Sequence, residues 1–400
     1  MDEFNETSVG TDAENPIPGT IDTLTEAKPV DVCDDEPKTK RAYFAKMGWR
    51  YALGLGLIIV AQLFMSIILL IIGNVNPGFA GFLEKNAWIN YLQIIIPVDL
   101  FGLPLIYLIS KSVDKVEIEK KKLKVGTVIL LILVAYGVVL VGNLIGQVVH
   151  AAVVLPFGIN PLETNVLGNL LTGDTSAAYI IWGFIAAGIG APIVEELIFR
   201  KILIDRTMKY GVAPAILLSS LLFGLYHGNF NQFFYAFFLG VLFAYVYAYT
   251  GNVIYTIILH MAVNMYSSCL VVAVTAFQDP AISETINTAV SNFSQTRDVN
   301  AYMEAINNIL STNPGGMVAY LAYDAVVIFM LLLEIAGIIV ILCNIRKAWR
   351  LRKTMNLGHG GGRKAAVFNW GSILAILICL GLFFFTYVGI ILSALFPAAP

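Results

Sequence analysis

Three groups of polar and ionisable residues interrupt stretches that are otherwise apolar. They are Glu195-Glu196-Leu-Ile-Phe-Arg200, Phe223-Gly-Leu-Tyr-His227 and His260-Met-Ala-Val-Asn264. Ionisable side chains are costly in hydrocarbon and by default mark functional sites there. On a helix the two adjacent glutamates are not equivalent. Consecutive residues point about 100° apart, whereas Glu196 and Arg200, four positions apart, share a face. That spacing predicts a structural ion pair between Glu196 and Arg200 and leaves Glu195 free to face a pocket. A carboxylate beside a histidine in a poorly hydrated site is suited to general-base work.

The spacing also lets the three groups meet. With a helical hairpin turning at Gly211, Glu195 lies 16 residues before the turn and His227 lies 16 after it. Equal rise along both helices then brings them to the same depth. A second turn at Gly251-Asn252 places His260 about 12–14 Å in, shallower than His227 by this measure. Asn264 follows one turn deeper on the same face. A glutamate, two histidines and an asparagine from three helices can thus line one pocket in the base-rich half of the bundle. His150, alone in the third apolar run, reads as an interhelical hydrogen-bond partner, and His359 reads as a solvated residue of a glycine-rich loop.

The elements that must position these residues follow from composition. Of 400 residues, 58 % are hydrophobic and 13 % charged, against about 25 % charged in a soluble protein. So few charges cannot coat a water-facing surface. A formal net charge of −2 leaves no broad basic face for nucleic acid. The scattered cysteines, Cys33, Cys269, Cys343 and Cys379, give neither a disulfide framework nor a thiolate metal site. No serine or cysteine stands beside a base as a nucleophile would.

Residues 1–47 are acidic and lack an apolar pattern, so they read as a disordered cytoplasmic tail, without the basic start and apolar run of a signal peptide. Nine runs follow that approach the roughly 20 apolar residues of a membrane helix: Trp49–Gly73, Trp88–Ser110, Thr127–Val153, Ala177–Arg200, Val212–Tyr226, Phe233–Thr250, Val253–Phe277, Met317–Cys343 and Ser372–Phe396. They are continuously apolar, not alternating, which selects helices over barrel strands. The expected fold is an all-α, polytopic membrane helix bundle of about nine spans over residues 48–396, with 175–277 as its core. Threading the chain through nine spans puts 23 of the 25 lysines and arginines on one side and only Lys85 and Arg297 on the other. Bases collect on the cytoplasmic side. The N-terminus is therefore expected inside, and the C-terminus and the 278–316 loop outside. Two short amphipathic helices are expected in that loop, over 281–288 and 301–310.

The motifs Glu-Glu-x-x-x-Arg, Phe-x-x-x-His and His-x-x-x-Asn, in this order on successive membrane helices, resemble the CPBP family of intramembrane proteases. That family includes the type II CAAX prenyl endopeptidases, the Ras-converting enzyme and bacteriocin-immunity proteins. The resemblance covers about residues 175–277. It implies an endopeptidase, commonly of a bacterial plasma membrane, that hydrolyses a peptide bond of a membrane-associated or prenylated, CAAX-type protein. It also implies that Glu195 with His227 activates water, that His260 and Asn264 stabilise the oxyanion, and that Glu196 and Arg200 are structural.

The residues leave the cofactor open. Glu195, His227 and His260 could supply three ligands of an open Zn²⁺ site, or the same set could run a metal-free hydrolysis with Glu195 as base. No HExxH is present. Two other readings stand beside the protease: a non-catalytic immunity or scaffold protein of the same fold, and a proton-coupled transporter using the intramembrane carboxylates Asp99, Asp324 and Glu334. The lack of an inverted repeat counts against the transporter.

Overall fold

A backbone in hydrocarbon must satisfy its own hydrogen bonds, and every regular element among the described residues is a helix. The computed structural model describes residues 36–162, 164, 176–277, 279–354 and 362–396. In chain order the main helices are α1 (Pro37–Val75), α2 (Trp88–Ser110), α3 (Val125–Phe157), α4 (Ala177–Tyr210) and α5 (Val212–Tyr226). Then come α6 (Phe230–Thr250), α7 (Val253–Phe277), α8 (Pro280–Thr296), α9 (Val299–Thr312), α10 (Pro314–Thr354) and α11 (Trp370–Leu395). Among the described residues, eight helices are long and apolar enough to cross a membrane, one fewer than the nine expected. The exception is α5. Its 15 residues span about 22 Å, short of the roughly 30 Å hydrocarbon core.

The first helix starts earlier than the sequence suggested. Pro37 opens α1, and Phe44, Met47, Tyr51, Leu55 and Ile58 form a buried stripe at intervals of three and four. Residues 37–47 are therefore helical, and packed from Phe44 on, not part of the tail. The expected disorder of residues 1–35 lies outside the described residues.

One end of the bundle gathers the segments that carry the bases. Val116 N–H donates to the Asp205 carbonyl, Lys121 N–H to that of Thr250, and Leu123 N–H to the Tyr255 hydroxyl. Arg50 Nε donates to the Ile109 carbonyl, and Gly371 at the start of α11 packs on the Ala45 carbonyl of α1. The ends of α2, α4 and α6 thus lie with the starts of α1, α3, α5, α7 and α11. Elsewhere the helices approach closely: a Cβ on Gly137 of α3 would stand 2.6 Å from the Gly337 carbonyl carbon of α10. Such small-residue crossings replace the hydrophobic driving force that lipid does not supply.

The 278–316 segment is mostly a helical hairpin, longer than the two short helices expected. Asp279 caps α8 by accepting from Ala281 and Ile282 N–H, and Asp298 caps α9 through Asn300 and Ala301 N–H. Ile282, Ile286, Ile309 and Met317 close a small core between the pair and the start of α10.

Candidate active site

The helices around the motifs are not uniformly α-helical. α2 is π-helical over Ile95–Gly102, and α4 is π-helical over Phe184–Gly190 and Leu197–Ile202. Such widened turns recur at functional sites because they shift side chains and release backbone groups. Pro192 sharpens the effect. Ala191 N–H bonds the Ala186 carbonyl, and Pro192 has no N–H to offer, so the Ala187 carbonyl is left to another helix. Asn264 of α7 fills the gap, its Nδ2 donating to Ala187 O at 2.6 Å. Two further carbonyls of α4 accept from other helices, that of Ile198 in addition to its bond from Leu203 N–H. Ser219 Oγ of α5 donates to Phe199 O at 2.7 Å, and the Tyr51 hydroxyl of α1 donates to Ile198 O at 2.5 Å.

On this frame Glu196 and Arg200 are both fully buried, with Arg200 Nε 3.1 Å from Glu196 Oε2. The guanidinium carbon lies 4.3 Å from the centre of the Phe223 ring and 5.6 Å from that of Phe243, a cation–π arrangement. Glu196 has a second partner that its spacing did not reveal. Its Oε1 accepts from His260 Nδ1 at 2.9 Å. That bond fixes the ring and presents His260 Nε2 to the site, 3.8 Å from Glu195 Oε2. The side chain of Glu195 stays 16 % exposed where Glu196 is sealed, so the two neighbouring carboxylates face different surroundings. His260 reaches α4 although it starts nearer its own turn, because the helix ends are not level. α4 runs on past the α6–α7 turn, and its Asp205 sits beside Tyr247, three residues before Thr250.

His227 caps the end of α5, where Gly228 turns the chain with φ +67°. A side chain there would meet Leu382, so glycine is required on both counts. His227 Nδ1 donates to the Phe223 carbonyl at 2.8 Å, which in the neutral ring leaves Nε2 as the lone-pair nitrogen. The motif phenylalanine therefore has its own work. Its carbonyl orients His227, and its ring meets the edges or faces of His227 and His260 at 5.1 and 5.7 Å and of Arg200 besides. No hydrogen bond or ion pair joins Glu195 to His227 among the described residues; the ring beside Glu195 is His260.

Two residues outside the seven motif positions belong to the same cluster. Asp99, in the π-helical part of α2, places Oδ2 3.1 Å from where a Cβ on Gly190 would stand and interacts electrostatically with Glu195. Tyr226 interacts with both Glu195 and Asp99. Asp99 Oδ1 and the Tyr226 hydroxyl are buried without a hydrogen-bond partner among the described residues. Asp99 stood out in the sequence as an intramembrane carboxylate between Pro97 and Pro104, but nothing in one chain tied it to α4. Tyr226 gave no signal, being one aromatic residue among many.

The other intramembrane polar groups lie apart from these. Glu334 of α10 accepts a hydrogen bond from the Tyr266 hydroxyl of α7, and Asp324 lies near Tyr320. His150 bridges the Tyr387 hydroxyl and Thr164 at 3.0 Å each. His359 lies outside the described residues. Among the described residues, no three His, Cys, Asp or Glu side chains converge as a metal site would require. Glu195, His227 and His260 as placed do not fit a three-ligand Zn²⁺ centre.

Residues 177–266 match the family model described as type II CAAX prenyl endopeptidase Rce1-like. The stretch contains all seven motif residues, so the resemblance carried by the motifs holds over it. It covers under a quarter of the chain. No curated protein and no solved structure matches the chain.

Proposed function

We propose that this protein is an intramembrane endopeptidase that hydrolyses a peptide bond of a membrane-associated or prenylated, CAAX-type substrate, using water activated by Glu195. The observation that carries the reading is the pair of neighbouring carboxylates in unlike surroundings. Glu196 is sealed between Arg200 and His260, while Glu195 has only the longer 3.8 Å approach of His260 Nε2, stays partly open, and is grouped with Asp99 and Tyr226. The match of residues 177–266 to a prenyl endopeptidase family supplies the reaction class.

In this mechanism Glu195 accepts a proton from water, and the water oxygen forms a bond to the substrate carbonyl carbon. His227 Nε2, held by the Phe223 carbonyl, orients the water through its lone pair. Asn264, with one amide hydrogen not used on Ala187, supplies a donor to the developing oxyanion, and His260, whose Nδ1–H is held by Glu196, adds a second only in the form that carries a proton on Nε2 as well. The C–N bond then breaks, and the proton held by Glu195 passes to the departing amine nitrogen. Preorganised donors in a water-poor site supply the largest single term in such reactions. The surrounding hydrocarbon suits a substrate that arrives with a prenyl chain.

The test is cleavage of a farnesylated CAAX peptide, and of its unprenylated twin, by purified full-length protein in liposomes. Cleavage of the prenylated peptide is expected, falling about 10²–10⁴-fold in Glu195→Gln, which removes the base. Cleavage that survives Glu195→Gln refutes the assignment, and equal cleavage of both peptides removes the prenyl group from the substrate reading.

A further inference from the structure

The base-bearing end of the bundle holds an open pocket of about 930 Å³ between the end of α2, the loop after it and the end of α4. It lies on a part of α4 distinct from the catalytic cluster, being lined there by Leu197, Lys201, Ile202, Asp205 and Arg206. Its walls change character along the membrane normal. Leu103, Pro104 and Tyr107 lie inside the α2 span, whereas Lys111, Ser112 and Lys115 lie just past its end at Ser110. The pocket therefore straddles the boundary between hydrocarbon and water. Its apolar wall continues onto lipid-facing surface, with Tyr107 and Leu108 about half exposed.

The charges in this pocket do not cancel. Lys201 is accounted for, with Nζ 2.8 Å from Asp205 Oδ2 and 3.1 Å from the Tyr247 hydroxyl. Arg206 is 7 % exposed and donates Nε to the Ser110 carbonyl and Nη1 to the Ile202 carbonyl. Among the described residues no carboxylate lies within ion-pair distance of Arg206, Lys111 or Lys115. Against these three cations the pocket offers one further acid, the exposed Asp114. A nearly buried guanidinium without a counter-ion is expensive unless an anion comes to it.

We propose that this pocket binds the headgroup of an anionic phospholipid. Its phosphate sits among Lys111, Lys115 and Arg206, and one acyl chain lies along Leu103, Pro104 and Tyr107. Basic pockets between membrane helices on the cytoplasmic side suit such headgroups. A free phosphate would match the cations but leave the apolar wall without an occupant. A lipid satisfies both, and the membrane supplies it at high local concentration. Bound there, it would clamp the α2–α3 loop to the end of α4, the helix that carries Glu195.

Native mass spectrometry of the full-length protein in neutral detergent tests this, titrating phosphatidylglycerol, phosphatidylcholine of the same chains, and inorganic phosphate. One preferred phosphatidylglycerol is expected per chain. A lysine near an anionic surface is worth about fivefold in affinity, so Lys111→Gln with Lys115→Gln should weaken binding about 25-fold. Lys120→Gln with Lys122→Gln, in the same basic loop but outside the pocket, should weaken it no more than about twofold. Equal losses in the two pairs would mean diffuse surface attraction and overturn the proposal. Equal binding of phosphatidylcholine, or displacement of the lipid by inorganic phosphate at matched concentration, would also overturn it. Should the first pair melt lower, Lys111→Arg with Lys115→Arg must restore lipid binding for the proposal to stand.

Discussion

Glu196→Gln is the most informative single change, because Glu196 meets both Arg200 and His260, with Thr256 hydrogen-bonded besides, and an amide can satisfy only one of the first two. The replacement keeps the shape but leaves one acceptor oxygen and one NH₂ group. If the oxygen turns to His260 Nδ1, the NH₂ faces Arg200 Nε, donor against donor, across the present 3.1 Å. If it turns to Arg200, the NH₂ faces His260 Nδ1–H. Either way Arg200, fully buried between Phe223 and Phe243, loses its counter-charge. Breaking a buried pair from one side costs about 3–5 kcal/mol, and a lost hydrogen bond to a charged group is worth about 1.5–3 kcal/mol. The two terms share a residue and do not add, so a loss of about 3–5 kcal/mol is expected. The second consequence is kinetic. His260 would no longer be held with Nε2 toward Glu195, and misplacing a reacting group by about 1 Å costs about 10²-fold in rate. Glu196→Gln should therefore lower both melting temperature and kcat per folded molecule. Adding Arg200→Met should restore much of the melting temperature and, by freeing the amide oxygen for His260, part of the rate. Melting and single-turnover cleavage on the same three preparations decide the matter. A variant that melts lower yet turns over normally per folded molecule would refute the positioning role of Glu196.

Asn264→Ala removes the donor to the Ala187 carbonyl and a proposed oxyanion donor. It should cost about 1 kcal/mol in a denaturation assay and about 10²–10³-fold in kcat. Tyr226→Phe deletes a buried hydroxyl that has no partner among the described residues, so melting should hold or rise. A fall of tenfold or more in kcat with KM unchanged would mark the hydroxyl as part of the reacting site. Gly337→Ala drives a methyl group into the α3 backbone at Leu133 and Gly137. Overpacking of this kind costs about 1–3 kcal/mol, and thermal melting in detergent should show it without a change in KM.

The bundle and the seven motif residues are legible in the sequence, because both rest on short-range regularities: runs of apolar residues near the length of a membrane, and i, i+4 spacings on single helices. The sequence failed where geometry depends on several helices at once. The i, i+4 rule found Arg200 as a neighbour of Glu196 but could not show His260 arriving from α7. Residue counting between turns set His260 too shallow, since it assumed level loops. The first helix was begun at Trp49 because charge near Lys38, Lys40 and Arg41 masked the stripe running from Phe44 through Met47 to Tyr51. The fifth run, Val212–Tyr226, reads as a span on apolarity alone, whereas α5 ends early at Gly228 to leave His227 among the other site residues.

That early ending and the π-helical turns answer one physical problem. In water an irregular helix can leave its carbonyls to solvent, but in hydrocarbon each must find a donor within the protein. Here Pro192 releases Ala187 O and Asn264 takes it, while Phe199 O and Ile198 O of the second π-helical segment accept from Ser219 and Tyr51. Each break in the regularity of α4 is thus a tie to a different neighbour: α7, α5 and α1. Glu195 and Glu196 lie between the two π-helical segments, so the irregular turns that set the direction of their side chains are also the points at which three helices grip α4. Side-chain hydrogen bonds inside membranes are worth only about 1 kcal/mol each, so three of them add modestly to stability. Their larger effect is on register, because a slip of α4 by one residue would break all three ties at once and leave the Ala187 carbonyl without its donor. The site is held by the same defects that make it.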